Sequence, residues 1–104
     1  MTKQEFQEQV KPTIPSGGCL NGHVTVSHAK LVDLLGEPDI DGDKVDAEWA
    51  VSFKGKTFAI YNYKTGKNYL GAEGLKTEDI TNWHIGGEDK KIAAELISLI
   101  DSVE

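Results

Sequence analysis

The clearest hydrophobic pattern in the chain is a strict alternation over residues 44–53. Apolar side chains occupy every second position from Val45 to Phe53, and polar or small side chains occupy most of the positions between them. This period of two predicts a β-strand with one buried face. After a tight reversal at residues 54–56, residues 57–64 are again rich in β-branched and aromatic side chains, so the two stretches predict a β-hairpin.

The register of this hairpin follows from keeping the large apolar residues on one side of it. A slip by one residue would turn the apolar side chains of one strand to the opposite side. The other side then becomes half-polar and aromatic rather than a second core. The predicted pairs are Phe53 with Phe58, Val51 with Ile60, Trp49 with Asn62, Glu48 with Tyr63 and Ala50 with Tyr61.

Helical spacing of apolar residues predicts two helices that cover the sheet. Ser27 is a favourable N-cap for a helix over residues 27–35, and Gly36 is suited to end it. A second apolar stripe predicts a final helix over residues 88–103, with acidic residues in its first turn, where the helix dipole favours negative charge. A shorter pattern predicts an N-terminal helix, and residues 1–16 are expected to be loosely attached.

Two shorter strands complete the predicted fold. Residues 23–26 alternate and follow a bulge or turn at residues 21–22, and residues 82–85 form a strand before the glycines that lead into the final helix. The prediction is a single α+β domain over residues 1–104. Its antiparallel sheet has three to four strands, with the hairpin at its centre and the two longer helices packed on it.

One long connection, residues 65–81, separates the hairpin from the last predicted strand. It is rich in glycine and polar side chains, and Tyr69 and Leu70 are its only strong anchors. Connections of this length are usually functional or mobile. This segment is therefore a second region in which to look for function.

Charge and composition then narrow the class of protein. The chain has 104 residues and a formal charge of -6, with no basic stripe, which opposes the counterion release that drives binding to DNA or RNA. No apolar run is long enough to span a membrane, and the N-terminus lacks the apolar centre of a signal peptide. We expect a cytoplasmic protein that binds neither membranes nor nucleic acid directly.

No residue pattern indicates catalytic, metal or cofactor chemistry. The motifs of a serine nucleophile, a phosphate-binding loop and a dinucleotide-binding turn are absent. The acidic run at residues 39–43 fails as an EF-hand, because Lys44 and Ala50 stand where Gly and Glu are required. Cys19 has no second cysteine to pair with, and the three histidines lack helical metal-site spacing. Neither a metal nor a cofactor is expected.

The half-polar side of the hairpin is the candidate binding surface, together with the segment before the final helix. Tyrosine and tryptophan provide flat amphipathic surface at low entropic cost and dominate both base stacking and protein hot spots. Tryptophan is also a common core residue, so ordinary packing is the alternative interpretation. The candidate binding residues are Glu48, Tyr61, Tyr63, Lys64, Trp83 and His84.

Four short motifs carry a resemblance to a known family. They are LLGEP at 34–38, DAEW at 46–49, IYNYK at 60–64 and WHIGG at 83–87. In this order they resemble small accessory proteins of tailed bacteriophages and some giant viruses. The resemblance implies a viral protein that acts in the host cytoplasm, and for such proteins inhibition of a host defence factor by direct binding is the expected role. The family pattern has Asp where this chain has Asn62.

Three other roles stay open at this stage. The aromatic residues would suit a nucleotide-binding protein that sequesters a host signalling nucleotide, and a homo-oligomer would help to form its pocket. A small enzyme with Glu48 or His84 as general acid or base would need a pocket and shifted pKa values. A minor virion component is the remaining alternative.

Overall fold

Five antiparallel strands and four α-helices make up the described part of the chain, residues 1–15, 18–39 and 45–103, in this computed structural model. In chain order they are α1 (Lys3–Gln9), β1 (Val10–Pro12), β2 (Cys19–Thr25), α2 (His28–Leu35), β3 (Glu48–Phe53), β4 (Lys56–Tyr61), α3 (Lys67–Leu70), β5 (Asn82–Gly87) and α4 (Lys90–Ser102), with short 3₁₀ turns at Gly71–Glu73 and Thr77–Asp79.

The strands lie side by side in the order β1-β3-β4-β5-β2, and each neighbouring pair is antiparallel. The predicted α+β class and the central hairpin are confirmed. The described sheet has five strands rather than three to four, because β1 was not predicted. This strand has only three residues and contains Pro12, and at the edge of the sheet the missing proline N–H is tolerated.

The two remaining strands are longer than predicted. β2 begins at Cys19, and its pairing with β5 shifts between Leu20 and Gly22, where the sequence predicts a bulge or turn. β5 continues through both glycines to Gly87. The acidic run at residues 39–43 lies almost entirely outside the described residues, which resume at Val45.

The predicted register of the hairpin is wrong by two residues. The turn contains only Lys54 and Gly55, which have φ angles of 51° and 76°. Two successive residues with positive φ are typical of the type I′ turn, which matches the twist of a two-residue hairpin. The observed pairs are Phe53 with Lys56, Val51 with Phe58, Trp49 with Ile60, Ala50 with Ala59 and Glu48 with Tyr61.

A shift by two residues changes the partners but keeps each side chain on its predicted face, because side chains alternate with a period of two. Glu48 therefore lies beside Tyr61 rather than Tyr63, and Ala50 beside Ala59 rather than Tyr61. The strand β4 also ends at Tyr61, so residues 62–64 belong to the connection that follows it.

The helix boundaries follow the predicted capping residues. The Ser27 side chain accepts a hydrogen bond from the Lys30 backbone N–H at 3.1 Å, and α2 ends at Gly36 with a φ of 86°. The last helix begins two residues later than predicted, because Asp89 is its N-cap and accepts from the Ile92 N–H at 2.9 Å. Both helices therefore have the ends that their sequences favour.

The N-terminal helix is part of the core rather than loosely attached. A capping box between Thr2 and Glu5 begins it. Its single buried residue, Phe6, is fully inaccessible to solvent and belongs to the same cluster as the sheet residues. Val10, where the chain enters β1, is buried in that cluster too.

Three helices share one face of the sheet. The buried residues of α1, α2 and α4 belong to one cluster with the alternating apolar residues of β3, β4 and β5. α3 and the 3₁₀ turns contain no buried residue, so no described helix packs against the opposite face. None of the described helices combines the length and apolar character needed to cross a membrane. We call the sheet face opposite these three helices the open face, and the face on which they pack the covered face.

The connection between β4 and β5 is folded differently from the prediction. Tyr69 and Leu70, the predicted anchors, are about half exposed, whereas Ile80 is buried in the core. The segment is not a plain loop, because α3 and two 3₁₀ turns occupy much of it. Its burial is therefore concentrated at its C-terminal end, where the chain enters β5.

Candidate functional site

The open face is shaped by small residues at its centre and aromatic residues on one side. Ala50 and Ala59 are paired across β3 and β4, and Gly86 lies opposite Ala59 on β5. Tyr61 lies one pair further along β4, opposite His84. The result is a shallow surface bordered by rings.

Two adjacent glycines of the WHIGG segment make room for rings on opposite faces of the sheet. A Cβ atom at Gly86 would lie 3.2 Å from Cε1 of Tyr61, on the open face. A Cβ atom at Gly87 would lie 2.6 Å from Cδ1 of Phe58, on the covered face. Both rings therefore lie directly over the β5 backbone, and a side chain at either position would displace one of them.

Four rings on the open face form a continuous group, which we call the aromatic strip: His23, Tyr61, Tyr63 and His84. The His84 ring is at its centre, with its centroid 4.6 Å from that of His23, 5.4 Å from that of Tyr61 and 6.0 Å from that of Tyr63. The contacts are edge-on or tilted, which is a favourable geometry for neighbouring rings. Three strands and the connection after β4 thus contribute to one surface.

Burial shifts the pKa of two groups of the strip in the direction that favours their uncharged forms. Burial lowers the pKa of His84 below its ordinary value near 6.5, and the neighbouring His23 lowers it further. Burial also raises the pKa of the Tyr61 hydroxyl above 10.0, with further contributions from the Glu48 charge and from Tyr63. Tyr61 and His84 are therefore partly desolvated hydrogen-bonding groups whose uncharged forms are favoured.

Lys64 extends this surface toward α3. Its Nζ lies 5.2 Å from the ring centroid of Tyr63 and 5.2 Å from that of Tyr69, so the ammonium group contacts two aromatic rings. Lys64 has a positive φ of 59°, which turns the chain away from β4 at this point. No described carboxylate forms a salt bridge with it.

Trp83 is not part of this surface. It is fully buried on the covered face, where its Nε1 donates to the Val26 carbonyl at 2.9 Å and its ring packs edge-on against Trp49. Neighbouring residues of a strand point to opposite faces, so Trp83 and His84 cannot both reach the open face. Of the six predicted binding residues, the open side of the molecule brings together Glu48, Tyr61, Tyr63, Lys64 and His84.

Tyr63 and Lys64 follow a group of hydrogen-bonded polar residues at the end of β4, which we call the Asp46 network: Asp46 and Asn62, which are buried, and Asn68, which is exposed. Asn62 is fully buried, and its Oδ1 accepts from the backbone N–H groups of Asp46 at 2.8 Å and Ala47 at 3.1 Å. Its Nδ2 donates to Oδ1 of Asp46 at 3.0 Å. The side chain thus uses both its acceptor and its donor.

The second oxygen of Asp46 holds the start of α3. Oδ2 accepts from the Asn68 backbone N–H at 3.2 Å, and the Asn68 side chain donates to the Val45 carbonyl at 3.1 Å. The Gly66 backbone packs so closely that a Cβ atom there would overlap the Asp46 carboxylate. The Asp46 network therefore ties both ends of residues 62–68 to the segment before β3.

Two further features are the predicted acid–base candidates and the cavities. Glu48 and His84 lie on the two strands that flank Tyr61. In the described ranges, no group of three or more His, Cys, Asp or Glu residues is arranged to hold a metal ion. A cavity of about 680 Å³ lies between α4 and the hairpin turn, and another of about 90 Å³ lies beside β1; neither is lined by the aromatic strip.

The sequence analysis missed several residues of this region. His23 reaches the strip only because β2 pairs with β5, and the order of strands is not visible in the pattern of the chain. Tyr69 was assigned to anchoring rather than to the surface. Asp46 and Asn62 are in positions that look like ordinary strand residues, although a polar residue in an apolar strand, such as Asn62, is a signal of a buried network.

Comparisons with known proteins add no identification. A search of protein-family models finds none that matches the chain, and a search of curated proteins finds no significant match. The function is therefore argued from the geometry of the open face.

Proposed function

We propose that this chain is a non-catalytic binding protein that uses the open face of its sheet to bind another protein. In the viral setting that the motifs resemble, the partner is a host defence factor that binding inhibits in the cytoplasm of the infected cell. The observation that carries the proposal is the aromatic strip, four contacting rings on a sheet face that no described helix covers, of which Tyr61 and His84 are partly buried.

The shape of the surface supports a protein partner. Its centre consists of small residues, Ala50, Ala59 and Gly86, so it is shallow. The cavity of about 680 Å³ lies elsewhere, and the cavity of about 90 Å³, which reaches Glu48 and Ala50, is too small to enclose a nucleotide. Small ligands are usually enclosed in concave sites, whereas protein interfaces are flatter and enriched in tyrosine. Burial favours the uncharged forms of Tyr61 and His84, which lowers the cost of removing the remaining water from these two rings on binding.

A nucleotide is the second candidate ligand, and one observation favours it. Lys64 lies between the rings of Tyr63 and Tyr69, so a cation for a phosphate and rings for a base are close together. Thermal unfolding with a panel of linear and cyclic nucleotides tests this, because a ligand that binds only the folded chain raises its Tm. No shift in Tm at saturating concentrations contradicts it.

The protein-binding proposal is tested with the tagged chain in lysate of a bacterial host, followed by reconstitution of the complex from the two purified proteins. The expected result is a stoichiometric complex in which the activity of the captured protein is inhibited. Tyr61→Ala/Tyr63→Ala removes two rings of the strip and should abolish both the complex and the inhibition. Binding that is unchanged in this folded double variant contradicts the proposal.

A matched control distinguishes loss of the binding surface from loss of the folded structure. Ile14→Ala removes an exposed apolar side chain after β1 that belongs neither to the strip nor to the segment after β4, so it should leave binding intact. Circular dichroism and Tm establish that each variant is folded before its binding is compared. Equal loss of the partner in the strip variant and in the control variant would place the interface outside the sheet face.

A further inference from the structure

The segment from Tyr63 to Leu75 has its large apolar side chains turned outward. The exposed fractions are 41% for Tyr63, 46% for Tyr69, 45% for Leu70 and 50% for Leu75. Within the described chain only two other large apolar residues, Ile14 and Leu20, are comparably exposed. An exposed apolar group of this kind is typical of an interaction site.

The segment is nevertheless held in a defined conformation. The Leu75 N–H donates to the Thr65 carbonyl at 3.1 Å, and Gly66 and Leu75 form a parallel bridge that closes the segment on itself. The Asp46 network fixes its N-terminal half through the Asn68 backbone. Polar contacts thus order the chain while its apolar side chains stay in solvent.

This combination is suited to binding. Ordering a loop on association costs conformational entropy, and a loop that is already ordered avoids that cost. A segment whose order came from burying its own Tyr and Leu side chains would have none left for a partner. Here the buried Asp46 and Asn62 provide the order instead.

The charge of the segment indicates the chemistry of its partner. Residues 63–75 contain Lys64, Lys67 and a single acidic residue, Glu73, so the segment is locally basic although the whole chain has a formal charge of -6. Neither lysine forms a salt bridge with a described carboxylate. An acidic protein segment would gain two ion pairs here. The rest of the chain would repel its few charges far less than the continuous backbone charge of a nucleic acid.

We infer that residues 63–75 are a preordered docking element for an acidic protein segment that inserts an apolar side chain among Tyr63, Tyr69 and Leu70. This rests on the proposed function in taking the ligand to be a protein, and it names the partner's chemistry and a second contact region beside the aromatic strip. The two regions meet at Tyr63, whose ring centroid lies 6.0 Å from that of His84.

The probe is a displayed library of random short peptides, selected on the immobilised full chain. Enriched peptides should combine acidic residues with an aromatic or aliphatic residue. Their binding should weaken on the order of tenfold in Lys64→Glu/Lys67→Glu and should weaken with added salt. Tyr69→Ser/Leu70→Ser should weaken it as well. All four side chains are exposed, so these variants should fold.

The matched control is Lys90→Glu/Lys91→Glu, which makes the same change in net charge at exposed positions of α4. It should bind the enriched peptides as the wild type does. Absence of enrichment, enrichment of neutral or basic peptides, or equal loss in both charge-reversed variants would overturn the inference.

The same peptides distinguish this inference from the proposed function. Peptides that require Tyr61 and His84 but bind Lys64→Glu/Lys67→Glu normally would overturn the docking element and leave the sheet-face proposal standing. Peptides that require the segment and are indifferent to Tyr61→Ala/His84→Ala would support the docking element and contradict the sheet-face proposal.

Discussion

The covered face of the sheet and the segment after β4 are ordered by opposite means. On the covered face, apolar side chains from three helices and the sheet are buried together, and polar groups there are few. The segment after β4 is held by the buried polar residues Asn62, at its start, and Asp46, which precedes β3, while its tyrosines and leucines are exposed. The first region loses solvent contact to gain stability, whereas the second keeps its apolar surface available for a partner.

The largest expected effect is in the covered face. Trp83→Ala removes a fully buried ring and its hydrogen bond to the Val26 carbonyl, so the free energy of unfolding should fall by about 3–5 kcal/mol. Chemical denaturation measures this. The control is Tyr63→Ala, on the exposed side, where the loss should stay below about 1 kcal/mol. A similar fall in the free energy of unfolding for both variants would contradict the claim that stability comes mainly from the covered face.

A smaller effect is expected where polar contacts provide the order. Asp46→Ala removes the acceptor of the Asn68 N–H and leaves Nδ2 of Asn62 with only its 3.4 Å hydrogen bond to Thr65 Oγ1, which should cost about 1–3 kcal/mol. Hydrogen exchange should accelerate in residues 63–75 and stay slow in β3 and β4. Asp33→Ala is the control: it loses only an exposed ion pair with Lys3, worth less than about 1 kcal/mol.

The hairpin turn affects both regions, because it sets the pairing of β3 with β4. This pairing determines the contacts on the covered face and the point at which the segment after β4 begins. Gly55 has a φ of 76°, so Gly55→Ala should destabilise the chain by about 1–2 kcal/mol through backbone strain, since no atom lies within 4 Å of the added Cβ. Gly55→Asn should cost less, because Asn tolerates positive φ better. Equal losses for Ala and Asn, measured by chemical denaturation, would contradict this explanation.

This turn also explains which parts of the fold the sequence could predict. Alternation determines which residues share a face, and the faces of β3 and β4 were predicted correctly. It does not determine the offset between strands, because a shift of two residues preserves every face. The offset depends on Lys54 and Gly55 adopting positive φ, and a Lys at the first of these positions gives little sign of it.

The candidate site was predictable only where it lies on a single strand. Tyr61 and Glu48 were assigned to the open face by alternation alone. The contacts of His84 with His23 depend on strand order, and the outward direction of Tyr69 depends on the Asp46 network. Both are long-range features, so local pattern carries little information about them. Trp83 was the avoidable error, since it is adjacent to His84 on one strand.

The smallest expected effect concerns the charge of the open face. Because burial lowers the pKa of His84 in the folded chain, the unfolded chain binds this proton at a higher pH. The free energy of unfolding should therefore lose a contribution as the pH falls through about 6.5 toward the folded pKa, and His84 should have no such effect at higher pH. Urea denaturation of the wild type and of His84→Gln, at about pH 7.5 and about pH 5.5, measures the difference. The wild type should lose more stability than the variant on acidification, with His23 unchanged in both. If the two lose the same amount, His84 takes up its proton as readily in the folded chain as in the unfolded one, and the open face is then better hydrated than a partly desolvated binding surface requires.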